Sequence, residues 1–243
     1  MNSVWKNVAM GWTDAAFGDA KKGFVRQKFF ESFNFSEHKS EHKLVGCQQT
    51  HGDRVAFVES AHPQVYDDTD GLVTDRAGLA LSIYTADCVP IFIASKTGSA
   101  VGIVHAGWRG MQKQIALKAL RLLEERCKVS PKNLEFYVGP HIQECCYSVG
   151  ADVQSQFNPQ CFRQGQSRGG QSREEQSRQE QLRVYFSLNR ALAMQLESAK
   201  VPSENIRFHP DCTHCDKKYH SFRRDKTEQR MVSLIAIKGK NYG

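Results

Sequence analysis

The sequence predicts a fold of mixed helix and strand, with a site assembled where several strands end. Short apolar runs rich in β-branched residues recur along the chain, bounded by glycine, proline and polar turn residues. Two longer stretches, Met111 to Cys127 and Leu188 to Ala199, carry apolar residues at helical spacing with charged residues between them. Three side chains able to bind a metal, His51, Cys88 and His105, each stand close to a glycine or proline at an expected strand end. The 243 residues, 40% hydrophobic and 24% charged, suffice for one core of the larger kind. An apolar run of about 18 residues, which a membrane span needs, is not found in the sequence.

Residues 1 to 16 are weakly patterned. Ala20 to Phe33 reads as a helix, with Phe24, Lys28 and Phe29 at helical spacing and Gly18-Asp19 as its opening turn. Asn34 to His42 is polar, and its Glu37-His38 and Glu41-His42 pairs read as a solvated loop rather than a metal site. Lys43 to Gly52 leads to His51, a histidine followed at once by glycine, just before the strand-like Arg54 to Val58. Gln49 is placed to order His51 or to reach a polar group of a substrate. Asp70 opens a further short strand, Asp70 to Thr74, and reads as an acid standing behind the site.

The densest signals follow. Leu79 to Tyr84, Ile91 to Ala94 and Ala100 to Val104 read as strands, with Lys96-Thr97-Gly98 turning between the last two. Thr85-Ala86-Asp87-Cys88-Val89-Pro90 and His105-Ala106-Gly107-Trp108-Arg109-Gly110 lie at their ends. A thiol and an imidazole can face each other there, and the small residues let the backbone approach a ligand. With His51 they make a plausible three-ligand site with one position open, as catalytic zinc uses. Packed or solvated residues with no ligand role remain the alternative reading of each. The helix expected over Met111 to Cys127 would aim its N-terminus at His105, and with Arg109 this reads as an anion site.

Leu134 to Val138 is a strand that ends in Gly139-Pro140-His141-Ile142, followed by Cys145-Cys146-Tyr147 and a short helix over Gly150 to Phe157. Residues 160 to 183 are of low complexity, with Gln-Ser-Arg at 166–168, 171–173 and 176–178. That five-residue repeat matches neither helix nor strand, and so few apolar residues predict a mobile surface insertion. Glu204 to Phe208 is a strand leading into His209-Pro210-Asp211-Cys212-Thr213-His214-Cys215. Cys212-x-x-Cys215 has zinc-knuckle spacing, but a structural zinc needs a second pair, and from the sequence only His209 or His220 is on offer. Ser221 to Lys226 concentrates positive charge suited to phosphate or carboxylate, and Met231 to Ile237 closes the chain as a strand.

The eight cysteines, Cys145 and Cys146 adjacent among them, are expected as reduced thiols. Met1 to Gly11 lacks a secretory pattern, so a cytoplasmic protein is expected. The net charge is +7; residues 160 to 183 contribute +2 and the remainder +5, a mild excess that suits an anionic small substrate.

Taken in order, Gln49-Thr50-His51-Gly52, Thr85-Ala86-Asp87-Cys88-Val89-Pro90, His105-Ala106-Gly107-Trp108-Arg109-Gly110, Val138-Gly139-Pro140-His141-Ile142 with Cys145-Cys146-Tyr147, Cys212-Thr213 and Ser221-Phe222-Arg223-Arg224 resemble one family. It is the YfiH or laccase-domain family, the multicopper polyphenol-oxidase-like proteins described as purine nucleoside phosphorylases. The resemblance runs from about Gly18 to Ile237. It implies an α+β fold of packed mixed sheets flanked by helices, here a single domain over 1–243. It also implies that His51, Cys88 and His105 hold one zinc per chain, with copper the lesser alternative. The implied activity is phosphorolysis of adenosine, inosine and guanosine to ribose-1-phosphate and base, with methylthioadenosine phosphorolysis and adenosine deamination also attributed to the family. On that reading Arg109, Arg223 and Arg224, with the helix end after Gly110, bind phosphate, and Asp87 or Gln49 contacts the nucleoside. The chain departs from the family pattern at Ser187, where an aspartate before leucine is common, and at Gln229-Arg230, where Gly-Arg is usual.

Three other functions compete. A copper phenol oxidase would want a weak axial methionine or many more histidines than nine scattered ones. A Cys88–His105 thiol hydrolase editing a cell-wall peptide precursor would need no metal. A nucleic-acid binder would use the Arg-rich insertion, a use less expected than a tolerated loop expansion.

Overall fold

The computed structural model describes residues 5, 7–32, 42–165 and 183–238. Its thirteen strands are β1 (Val8–Trp12), β2 (Lys43–Cys47), β3 (Val55–Phe57), β4 (Val65–Tyr66), β5 (Gly71–Thr74), β6 (Leu79–Thr85), β7 (Val89–Ser95), β8 (Val101–Ala106), β9 (Leu134–Val138), β10 (Phe162–Gly165), β11 (Arg183–Phe186), β12 (Ile206–Phe208) and β13 (Met231–Ile237). The helices are α1 (Gly23–Ser32), α2 (Trp108–Gln112), α3 (Ile115–Cys127), α4 (Ala151–Gln154), α5 (Leu188–Ser198) and α6 (Phe222–Asp225). No helix among the described residues is long and apolar enough to cross a membrane.

The strands form two mixed sheets, ordered β1-β13-β6-β2-β4 and β12-β9-β7-β8-β5-β3, with β10 and β11 pairing apart as an antiparallel hairpin. Strand periodicity explains how the sheets are layered. On β13, Val232, Leu234 and Ala236 join a cluster with Val25, Phe29 and Phe30 of α1, while Ile235 and Ile237 point the other way. On β7, Phe92 and Ala94 meet that second cluster, which lies between the sheets, while Ile91 and Ile93 face α3 and α5. Successive side chains of a strand alternate between faces, so a strand covered on both sides must be apolar throughout. The result is helix, sheet, sheet, helix, an α+β architecture as the family resemblance implied.

Several expectations change in detail. Val8–Trp12, weakly patterned in sequence, becomes an edge strand by pairing with β13 from Val8↔Ile237 to Trp12↔Ser233. The first helix begins at Gly23 rather than at the Gly18-Asp19 turn. His42, assigned to a solvated loop, is buried, with its Nε2 3.3 Å from the Ile237 carbonyl; residues 33–41 lie outside the described residues. So do residues 166–182, and with them the Gln-Ser-Arg repeat. The flanks of that repeat, expected as part of the insertion, are ordered as β10 and β11. Ser187 caps α5 by accepting the Arg190 N–H, which is the task an aspartate would perform there.

The single helix expected over Met111 to Cys127 is two. Helix α2 stops at Gln112, Gln114 takes φ 58°, and α3 starts at Ile115. The break escapes the sequence because Met111 and Ile115, on either side of it, are both fully buried and keep the apolar spacing intact. One consequence bears on function. The helix that starts beside His105 has five residues, and the long helix with the stronger dipole starts a turn further away.

The feature that positions the site is a sheet change. The chain leaves the first sheet at Thr85 and enters the second at Val89. Ala86, Asp87 and Cys88 make the corner, and Asp87 takes φ 85°, a region costly for a residue with a Cβ. Three contacts hold it there. Its carboxylate accepts the Thr213 hydroxyl at 2.6 Å and the Arg223 N–H at 2.6 Å, and its carbonyl accepts the Ile142 N–H at 3.0 Å.

Candidate active site

His51, Cys88 and His105 come from three separate segments and converge, with their donor atoms all within 4.8 Å of one another. Cys88 stands at the sheet-change corner just before β7. His105 is the penultimate residue of β8, opposite Pro90. His51 sits on a turn with φ 59°. Asp70, just before β5, organises two of the three. Its carboxylate accepts the backbone N–H groups of Thr50, His51 and Gly52 at 3.0, 3.1 and 2.8 Å, and lies 2.7 Å from His105 Nδ1. With Nδ1 so engaged, His105 presents Nε2 to Cys88, and the two imidazoles stand nearly perpendicular with centroids 4.8 Å apart.

The electrostatics follow from burial against charge. Burial favours the neutral forms of all three groups. His105 and the N–H donors of Gly52 and Thr50 overcome it at Asp70 and hold that carboxyl down at about 2. His105 and His51 overcome it at Cys88, whose thiol is held down at about 6. The Cys88 thiolate and Asp70 overcome it at His105, which is pushed up to about 9. Two negative groups, Asp70 buried and Cys88 partly buried, thus demand a positive charge between them. A proton on His105 meets that demand, and so would a cation bound by the three donors. Two imidazoles and one thiolate, with a carboxylate behind one imidazole, is a donor set that suits zinc with an open fourth position.

Room for an ion depends on Gly107. A Cβ placed there would lie 3.3 Å from Cys88 Sγ and 3.3 Å from His51 Cδ2. Gly110 likewise lets α2 close on the His51 turn, since a Cβ would come 3.0 Å from the Gly52 carbonyl oxygen.

A cavity of about 770 Å³ opens over these donors, lined by Gln49, Tyr84, Asp87, Trp108, Arg109, Tyr147, Phe222 and Arg223 among others. The residues singled out from the sequence now separate. Arg109 stacks its guanidinium 4.4 Å from the Trp108 ring centre. Arg223 lies 5.1 Å from the ring centre of Tyr147 and donates to the Ser148 carbonyl. Gln49 lines the cavity with its amide clamped to Tyr84, donating to that residue's carbonyl at 2.8 Å and accepting its N–H at 2.7 Å. Asp87 is engaged in holding the corner. Arg224 is not at the cavity: its guanidinium donates to the carbonyls of Thr213, His214 and Tyr219 and pairs with Asp225. The helix end expected after Gly110 to bind phosphate lies earlier, at Trp108, as the start of the five-residue α2, and α3 contributes no residue to the cavity.

Tyr147, Trp108 and Phe222 line the cavity without having been assigned a site role from the sequence. Only their place within the motifs could have marked them. Lys21, Glu228 and Arg230 form a charged rim, with Lys21 Nζ 3.3 Å from Glu228.

Known proteins resemble this chain over most of its length. A family model described as multi-copper polyphenol oxidoreductase laccase matches residues 15–238. A purine nucleoside phosphorylase of Clostridium acetobutylicum is 30% identical over 200 residues, covering 81% of this chain and 78% of that one. The purine nucleoside phosphorylase YlmD of Geobacillus stearothermophilus is 32% identical over 203 residues, covering 79% and 72%. The crystal structure of YlmD from that organism superposes with a TM-score of 0.79 at 26% identity, over 97% of this chain and 93% of the other.

Proposed function

The chain belongs to the multi-copper polyphenol oxidoreductase laccase family, and from that premise we propose that it is a zinc-dependent purine nucleoside phosphorylase of the cytoplasm. Relatives named purine nucleoside phosphorylases support the reading. The observation that carries it is the cavity itself, where two arginines flank a cluster of two imidazoles and a thiol beneath aromatic walls.

The reaction takes a purine nucleoside and phosphate. A phosphate oxygen attacks the ribose C1′ while the bond from C1′ to the base breaks, the base leaving with the electron pair and then gaining a proton. Arg109 and Arg223 are the groups to bind and aim the phosphate. Their guanidiniums stack on Trp108 and Tyr147, which limits their freedom before the ligand arrives. Tyr84, Trp108 and Phe222 offer apolar surface for the purine. Asp87 places Arg223 through its backbone N–H, and Asp70 fixes the direction of His105. His51, Cys88 and His105 would hold a zinc ion, which would supply a Lewis acid and lower the pKa of a water towards neutral. The nucleosides acted on are adenosine, inosine and guanosine, with methylthioadenosine an analogue of the first. Hydrolysis at C6 of adenosine, in which a water oxygen bonds to C6 and the amino group leaves as ammonia, is a second reaction this donor set favours.

Metal content and turnover on one sample test the reading. Base release from inosine that requires phosphate, accompanies about one zinc at this site and is lost in Cys88→Ala is the expected result. Conversion of adenosine to inosine without phosphate, and nothing else, would leave a deaminase. No purine turnover in zinc-loaded protein would refute both.

A further inference from the structure

A second cluster of metal donors lies apart from the cavity. Cys145 and Cys146, in the loop after β9, meet Cys212 and Cys215, in the loop after β12. All four sulfurs lie within 4.8 Å of one another. Cys145 Sγ is 3.7 Å and Cys146 Sγ 3.3 Å from Cys215 Sγ. The sequence shows only half of this site, the Cys212-x-x-Cys215 knuckle, with a histidine as the nearest partner. Neither His209 nor His220 belongs to the cluster; the missing pair is Cys145-Cys146, nearly seventy residues upstream.

From this geometry we propose that Cys145, Cys146, Cys212 and Cys215 bind one structural zinc ion. Four thiolates at the usual zinc–sulfur length of about 2.3 Å stand at the corners of a tetrahedron with edges of about 3.8 Å. The sulfurs already approach that spacing, and small rotamer shifts bring the rest to it. The backbone is arranged as a metal knuckle requires. The N–H groups of Cys215 and Asp216 both turn back onto the Cys212 carbonyl, at 3.1 and 3.0 Å. The Gln143 N–H points at Cys212 Sγ, at 3.4 Å. Cys146 and Cys212 are buried and Cys145 partly so, while Cys215 is exposed and gives an ion its way in. Binding displaces the thiol protons to solvent and forms four zinc–sulfur bonds; no oxidant is involved.

The ion would tie together two loops that both shape the cavity. Tyr147 follows Cys146 and carries the ring beneath Arg223. Thr213 follows Cys212 and holds the Asp87 corner. The inference rests on the four sulfurs alone and stands or falls independently of the phosphorylase reading.

The test removes the first site and asks what stays. Protein purified with zinc under reducing conditions is compared with His51→Ala/Cys88→Ser and with Cys212→Ser/Cys215→Ser. The first variant is expected to retain about one zinc per chain through dialysis against a weak chelator. Loaded with Co(II) instead, it is expected to show tetrahedral bands with thiolate charge-transfer absorption far stronger than a single thiolate provides. The second variant is expected to lose that absorption, and the first variant decides the matter alone if the second does not fold. A first variant with no thiolate-bound metal overturns the proposal. So does a Cys146–Cys215 disulfide, seen in the intact mass as a loss of two hydrogens, in protein kept reduced and supplied with zinc.

Discussion

Asp70 grips His105 from behind, its carboxylate 2.7 Å from Nδ1, and the same carboxylate takes three consecutive N–H groups of the turn that carries His51. One fully buried side chain therefore aims two of the three donors. Asp70→Asn keeps the shape but replaces one acceptor oxygen by a donor and removes the charge. Metal affinity at the His51–Cys88–His105 site is expected to fall roughly 10- to 100-fold, the usual cost of losing a group that orients a ligand. Competition with a chromophoric chelator measures it. Unchanged affinity would mean that the donors are held by their own backbones.

Gly107 separates space from chemistry. An alanine methyl there meets Cys88 Sγ and His51 Cδ2 at 3.3 Å, where an ion and its ligands need room. The φ of −76° at this position suits any residue, so the backbone has no reason to resist. Gly107→Ala is therefore expected to lower metal occupancy and turnover while moving the unfolding free energy by less than about 1 kcal/mol. A large loss of stability with metal binding intact would reverse the assignment.

Arg223 and Arg224 are neighbours with opposite tasks. Arg223 lines the cavity, whereas Arg224 ties the 213–219 loop through carbonyls of Thr213, His214 and Tyr219. Arg223→Ala is expected to raise the KM for phosphate at least tenfold with little change in thermal stability, about the loss of one charge-assisted hydrogen bond. Arg224→Ala leaves buried carbonyls without a donor and is expected to cost on the order of 2–3 kcal/mol in urea unfolding. Equal kinetic effects from the two would show that both reach the phosphate.

That pair also marks where reading the sequence stops. Two adjacent arginines look alike in a basic run, and their separation depends on which way α6 turns them. The covered strands, by contrast, were legible: β6, β7 and β13 are largely apolar on both faces because each lies between two layers, so their limits agree with the apolar runs within two residues. The edge strand β1 was not, since Val8–Trp12 becomes a strand only through residues 221 or more positions away. His51, Cys88 and His105 could be proposed together because each sits at a strand end beside a small residue. Cys145-Cys146 and Cys212-x-x-Cys215 could not be paired, because nothing local indicates that the loops after β9 and β12 meet. They do so because β9 and β12 run parallel and adjacent, which places both loops at one end of the sheet.

His141 gives the fold a dependence on acidity. It is fully buried, with Nδ1 2.8 Å from the Gly139 carbonyl. Burial pushes the imidazole down to about 4 from 6.5, against the Gly139 carbonyl and Asn189, which favour the proton. Above about 6.5 the ring is neutral whether the chain is folded or not, so its full contribution is present. As the pH falls from 6.5 towards 4 the unfolded chain binds a proton that the folded chain refuses, and stability declines by about 1.4 kcal/mol per unit, roughly 3 kcal/mol in all. Below about 4 both states are protonated and this source adds no further slope. His141→Gln cannot take up the proton in either state. The difference in urea-unfolding free energy between native protein and variant, measured at steps from pH 7 to 4.5, cancels the carboxylates and thiols that both share. It is expected to change along that slope to the disadvantage of the native protein. A difference that stays constant across the range would show that His141 is protonated as readily in the fold as outside it.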